Sequence, residues 1–212
     1  MSPVSDLNHD IDQRSEKAIA ILSGALEVFS SQGYAASSMD RIARAANVSK
    51  PTLYKYFQDK EGLFFALVYH LTERNRQMRQ HMFGNVAAQT TTEEFLRQIA
   101  TFVISDFSRD QTLIRLMRLI IGESERFPEL SKRFVREIEK PIIERFSTYL
   151  ASQTQLQLPD PEVTTRIFVG SIVHYLIIQH VLHGGEILPL ERDRMVDGLV
   201  HLITASDQNK LP

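Results

Sequence analysis

V-S-K-P-T-L-Y-K-Y-F-Q-D-K, residues 48–60, is the stretch whose reading decides the fold. At about 100° per residue, Leu53 and Phe57 share one side of a helix. Pro51 and Lys55 fall on the opposite side, with Thr52 and Tyr54 flanking them. A short helix with an apolar back and a front of cation, hydroxyl and phenol suits the major groove of DNA. Lys50 and Lys55 can reach phosphates or guanine acceptors, and Thr52 can donate to a phosphate or meet a thymine methyl. Tyr54 and Tyr56 place two large phenols on a helix too short to bury both. Lys60 falls in the first turn of the next helix, where the macrodipole disfavours a cation by some tenths of a kcal/mol. A nearby phosphate would account for it. Singly, a helix lysine is usually just solvated, and Tyr54 can serve as a cover for the small core. It is the combination that points to DNA.

Outward from this stretch, spacings of three and four recur and period-two alternation is absent, so the expected fold is all-α. Leu22, Ala25, Leu26 and Phe29 mark a first helix, with Gly33 as its stop. Ser38 can cap a second helix carrying Met39, Ile42, Ala43 and Ala46. Asn47 sits where a tight turn wants a positive φ, Ser49 can cap the third helix, and Pro51 lies in that helix's first turn, where a missing N–H costs little. Three short helices of this kind make a helix-turn-helix unit. Asp59 can cap a fourth helix with Leu63, Phe64, Leu67 and Leu71, expected to run to about Gln80. Residues 84–92 read as a loop. Further helices are expected at 92–107, 111–124, 128–153, 160–183 and 189–205, with Pro141 kinking the seventh.

The expected organisation is an acidic tail at 1–13, a helix-turn-helix domain at 14–60 and a connecting helix at 61–80. A larger helical domain for effector binding and dimerisation follows at 81–207, then a short tail at 208–212. With 212 residues, 43% hydrophobic and 24% charged, the chain can bury a sizeable core. It has no cysteine, which removes disulfides, thiolate metal sites and cysteine nucleophiles. The first residues show neither a basic start nor an apolar run, so no signal peptide is expected. The greasiest run, residues 167–178, falls short of the roughly 20 residues a membrane span needs. No membrane association is expected, and the cytoplasm is the expected location. Net charge is −2, but residues 14–60 carry seven Lys or Arg against four carboxylates, while residues 1–13 carry only acids. A basic segment on a mildly acidic body fits a localised nucleic-acid contact.

Residues 21–64 carry A-x-x-x-F followed by G-Y, then I-A-x-x-A-x-V-S-x-x-T-L-Y-x-Y-F and a closing K-E-x-L. This run strongly resembles the DNA-binding domain of the TetR family of bacterial transcription regulators. Asn47 departs from the glycine common in that turn, and the acidic tail lacks the basic arm of some members. The resemblance implies a homodimer on a palindromic DNA operator, each partner placing its third helix in a major groove. Matched position by position, it puts DNA contacts on Ser38, Lys50, Pro51, Thr52, Tyr54, Lys55, Tyr56 and Lys60. It also implies a ligand-binding and dimerisation domain beyond about residue 80. The run at residues 118–130, R-L-I-I-G-E-S-E-R-F-P-E-L, is similar to family members that regulate efflux and stress genes.

In that body, Phe102, Phe107, Met117, Ile121, Phe146 and Tyr149 are candidates for an effector pocket, with plain core as the competing reading. Few charges interrupt these faces, so a hydrophobic or amphipathic effector is expected. The eighth helix is apolar nearly all round, so burial on two sides is expected. Gly170 and Ser171 would allow close approach of a second copy, with Met195, Leu199, Leu202 and Ile203 of the ninth helix as partner face. His180 and His183 share a helical face with His174 nearby, but no carboxylate stands at ligand spacing beyond Glu186, so no metal is expected. No cofactor is expected either. Glycine-rich phosphate loops, G-x-S-x-G, H-E-x-x-H and dinucleotide fingerprints are all lacking, which argues against an enzyme. The expected function is a ligand-responsive repressor; the alternatives are an activator or a ligand-independent regulator of the same fold, with a helical-cavity enzyme a distant third.

Overall fold

The computed structural model describes residues 16–73 and 90–205, and every regular element among them is helical. The first four helices are α1 (Glu16–Ala36), α2 (Met39–Ala45), α3 (Lys50–Tyr56) and α4 (Lys60–Glu73). Then come α5 (Thr92–Arg109) and α6 (Gln111–Glu123). Helix α7 runs Pro128–Phe134, passes through a π-helical turn at Val135–Glu139 and continues as Lys140–Ser152. Helix α8 runs Pro161–Leu176 and closes in a π-helical turn at Ile177–Val181, and α9 is Arg192–Thr204. The expected extension of α4 to Gln80, the loop at 84–89 and both tails lie outside the described residues. Thr91 caps α5: its hydroxyl accepts from the Glu94 N–H, and the Glu94 carboxylate accepts from the Thr91 N–H.

Two compact units emerge: Met1–Arg74 with Arg115–Phe134, and Asn75–Ile114 with Val135–Pro212. The first draws residues 115–134 from the stretch 81–207 that the sequence assigns to the effector domain. Most of α6 and the start of α7 belong with the helix-turn-helix. The reason is packing between residues far apart in the chain. Tyr34 packs edge-on against Phe127 at 4.8 Å, and the Arg133 guanidinium lies 3.8 Å from the Phe65 ring centre. The core of this unit is Ile21, Ala25 and Phe29 of α1 with Ile42, Leu53, Phe57, Leu63, Phe64 and Leu67, all essentially solvent-free. Full burial of the Ile, Leu and Phe side chains among them stabilises by about 1.5–3 kcal/mol each. Gly24 lets α1 and α2 cross closely, since a Cβ there would meet the Ala46 backbone nitrogen at 2.7 Å.

The second unit is a bundle of α5, α7, α8 and α9. Its core joins Phe95, Leu96, Ala100 and Ile104 to Phe146 and Leu150, then to Phe168, Ile172, Tyr175 and Leu176. Val196, Leu199, Val200 and Ile203 of α9 complete it. The kink expected at Pro141 takes a particular form. Proline has no N–H to offer the carbonyl of Glu137 and its ring crowds that carbonyl. The helix accommodates this with the wider π turn at Val135–Glu139. On α5, Arg97 pairs with Asp197 of α9 and with Glu93 on its own helix.

Candidate nucleic-acid interface

The turn between α2 and α3 is built as the sequence requires. Ser38 is extended (φ −138°, ψ 152°), and its Oγ accepts the Arg41 N–H at 3.3 Å. Helix α2 ends with Asn47 at φ 52°, in the left-handed region. The Asn47 N–H donates to Arg44 O at 3.1 Å and the Val48 N–H to Ala43 O at 3.0 Å. This pair of bonds is the Schellman closure, which spares the last carbonyls of the helix. Ser49 starts α3 at once, its Oγ accepting the Thr52 N–H at 3.2 Å and lying 2.7 Å from Thr52 Oγ1. Two caps and a left-handed asparagine thus fix the angle at which α3 leaves α2.

On α3, Leu53 and Phe57 are fully buried. Pro51, Tyr54 and Lys55 are exposed, with Thr52 and Tyr56 half-buried beside them. The Lys50 ammonium lies 2.7 Å from the Asp40 carboxylate, and that bond raises its pKa. Both groups are exposed and water screens the pair, so a phosphate can take the place of Asp40. Seven of the eight expected DNA contacts, Ser38, Lys50, Pro51, Thr52, Tyr54, Lys55 and Tyr56, therefore lie on the start of α2 and on α3.

Lys60 is the exception. Its ammonium donates to the carbonyls of Tyr34 at 2.7 Å, Ser37 at 3.1 Å and Ala35 at 3.4 Å. It also sits 4.4 Å from the centre of the Tyr34 ring. Burial pushes its pKa down while Glu123 pulls it up. A cation in the first turn of α4 thus needs no phosphate to explain it: it serves the chain's own carbonyls. Arg41, one turn on from Ser38 and exposed, bonds Gln32 Oε1 and the Ala36 carbonyl. In the sequence it counted only as charge.

Residues 21–67 match the family model of bacterial regulatory proteins of the tetR family. Residues 93–206, more than half of the chain, match the C-terminal domain of AefR-like transcriptional repressors. The chain belongs to the TetR family of transcriptional regulators. Among its relatives is the fatty acid metabolism regulator protein of Bacillus subtilis, 28% identical over 112 residues, which are 53% of this chain and 56% of that one. The chain thus spans just over half the length of that relative. The flavonoid-responsive regulator FrrA has a similar fold, with a TM-score of 0.71 at 27% identity, covering 92% of this chain and 99% of that one. A TetR-family regulator from Mesorhizobium loti gives a TM-score of 0.72 at 24% identity over 90% of this chain and 96% of that one.

The other expected sites of this TetR-family chain fare unevenly. Phe146 is buried core, flanked by the rings of Phe168 at 5.0 Å and Tyr149 at 6.3 Å. Phe102, Phe107 and Tyr149 are only partly buried at the edge of the same core. Met117 and Ile121 belong to the other unit. Ile121 is 52% exposed, because it stands about 200° around α6 from the buried Leu119. At the expected interface, Gly170 is exposed and Ser171 half-buried, whereas Leu199 and Ile203 are buried in the unit's own core. With Val196 and Val200 they form the inward stripe of α9, leaving Gly198 and Leu202 outward. His180 and His183 do not share a helical face: α8 ends at Val181, and His183 adopts φ 57° in the following turn. The His180 Nε2 lies 2.9 Å from Ser108 Oγ, which donates to Ile104 O. No helix among the described residues is long and apolar enough to cross a membrane.

Proposed function

We propose that this protein is a ligand-responsive repressor that binds a palindromic operator as a homodimer in the bacterial cytoplasm. The observation that carries the reading is the division of α3, with Leu53 and Phe57 sealed inward and Pro51, Tyr54 and Lys55 outward. Lys55 and Arg41 supply cations, Tyr54 a flat phenol, and Ser38 and Ser49 the fixed geometry. Dimerisation is supported by an exposed apolar strip on α8 and α9: Val163 and Ile167 are about half exposed and Leu202 is 67% exposed. A shallow groove lined by Ile167, Gly170, Ser171, His174 and Met195 runs along it. A second copy packed there would bury side chains that a monomer leaves in water.

An effector site among Phe102, Phe107 and Tyr149 is supported by their partly buried rings, whose apolar edges suit a hydrophobic or amphipathic molecule. The names of two relatives, one acting in fatty acid metabolism and one flavonoid-responsive, support that class. Binding there would favour a dimer arrangement whose two α3 helices no longer match half-sites about 34–36 Å apart. Selection of bound duplexes from a random pool tests the DNA reading, with an enriched palindrome expected and no enrichment refuting it. On the recovered site, Lys55→Ala should weaken binding and reduce the salt slope by about 1 if Lys55 meets a phosphate. Binding unchanged from wild type would remove Lys55 from the interface.

A further inference from the structure

The segment joining α1 to α2 is gripped from both sides by groups of opposite charge. Gly33 breaks α1 with φ 76° and ψ 163°, a conformation that glycine adopts and other residues essentially do not. The next amide, the Tyr34 N–H, donates instead to the Glu123 carboxylate of α6 at 2.7 Å, 89 residues further along the chain. The following carbonyls, those of Tyr34, Ala35 and Ser37, are collected by the Lys60 ammonium of α4. An anion therefore holds the donor side of the segment and a cation its acceptor side. The Tyr34 ring is locked as well, against Phe29 at 5.5 Å, Phe64 at 5.3 Å and Phe127 at 4.8 Å. One residue beyond Ser37 stands Ser38, the cap of α2.

We infer that Glu123 is a positioning residue for DNA binding: its carboxylate fixes the Tyr34 amide and so sets where Ser38, α2 and α3 begin. The inference rests on the DNA-binding reading above but concerns a residue outside the helix-turn-helix. Glycine at 33 belongs to the same device, because a Cβ there would stand 2.7 Å from Glu123 Oε1 and displace the carboxylate. Glu123 needs no contact with DNA to act. It works through one backbone N–H, which lies four residues before the cap.

The test compares Glu123→Ala, which removes the acceptor, with Glu123→Gln, which keeps an amide oxygen to accept the Tyr34 N–H. Exchange of the Tyr34 amide with deuterium reads the grip without any DNA. Losing a hydrogen bond to a charged group corresponds to about tenfold or more. Glu123→Ala should speed that exchange about tenfold, and Glu123→Gln should recover most of the protection. Operator affinity on the selected duplex should fall about tenfold in Glu123→Ala, with the salt slope unchanged, and return to within about threefold in Glu123→Gln. Where Glu123→Ala does not fold, Glu123→Asp, one methylene too short, takes its place under the same criteria. Wild-type exchange at Tyr34 in the alanine variant, or unaltered operator affinity despite faster exchange, would overturn the inference. A wild-type protein that selects no duplex would strike the DNA-binding reading instead, while the exchange measurement still judges the grip.

Discussion

Replacing Lys60 by methionine separates two explanations for one cation. Methionine keeps an apolar stem of similar reach and removes only the ammonium. The structure gives that ammonium two short bonds to backbone carbonyls, at 2.7 and 3.1 Å, and a third that is long at 3.4 Å. Bonds to a charged group are worth about 1.5–3 kcal/mol when well shielded. Lys60 is only partly shielded, so about 1 kcal/mol for each short bond is the fair figure. The contact with the Tyr34 ring at 4.4 Å adds about 0.5–1 kcal/mol. The sum is about 2–3 kcal/mol, which for a chain of this size lowers the melting temperature by roughly 5–10 °C. Calorimetry of the Lys60→Met protein measures that drop, and a salt titration of operator binding measures the second quantity. The slope should stay at the wild-type value, because the ammonium serves the protein and not a phosphate. A melting temperature within a degree of wild type, together with a slope reduced by about 1, would refute the reasoning and return Lys60 to the DNA interface.

Leu202→Glu should convert the dimer to a monomer by light scattering at micromolar concentration while leaving the helical circular dichroism intact, since Leu202 is outward. Leu199→Glu, by contrast, buries a carboxylate in the core and should unfold the second unit. A Leu202→Glu dimer of wild-type affinity would remove that face from the interface. Tyr34 yields a pH prediction. Its phenol is pushed up to about 12 from 10.0, first by burial and then by the carboxylates of Glu61, Asp59 and Glu123. The folded state therefore favours the neutral phenol, and the stability this confers is complete below pH 10 and lost as pH rises from about 10 to 12. Burial also raises Tyr149 and Tyr175, so the difference between wild type and Tyr34→Phe carries the test: the phenolate absorbance lost in the variant should be a late-titrating one, and the alkaline loss of stability should be smaller. An equal alkaline loss in Tyr34→Phe would mean that another group is responsible.

The trihelical segment was legible almost to the atom because its signals are local. Ser38, Ser49 and Asp59 bond amides three residues on, at 3.3, 3.2 and 2.7 Å, and a positive φ falls on Asn47, which tolerates it, and on Gly33, which has no Cβ to oppose it. What failed was non-local. Lys60 looked misplaced on its own helix, since its acceptors lie 23 to 26 residues away. Glu123 carries no local signal of its role, since its donor lies 89 residues away. On α9 the pattern contained two apolar stripes, and only packing decides that Val196, Leu199, Val200 and Ile203 face inward. The aromatics of the body divide between core and margin for the same reason: Phe146 and Tyr149 are three residues apart on one helix, and only the first is sealed.

The π turn at Val135–Glu139 bears on how this chain is compared with others. The π turn that accommodates Pro141 holds one residue more than the α-helical turn it replaces. Past Glu139, every side chain is rotated about 100° from where an uninterrupted α-helix would put it. An alignment that runs through residues 128–152 without a gap near the turn will pair inward positions of this protein with outward positions of a relative lacking it. A single-residue gap restores the phase.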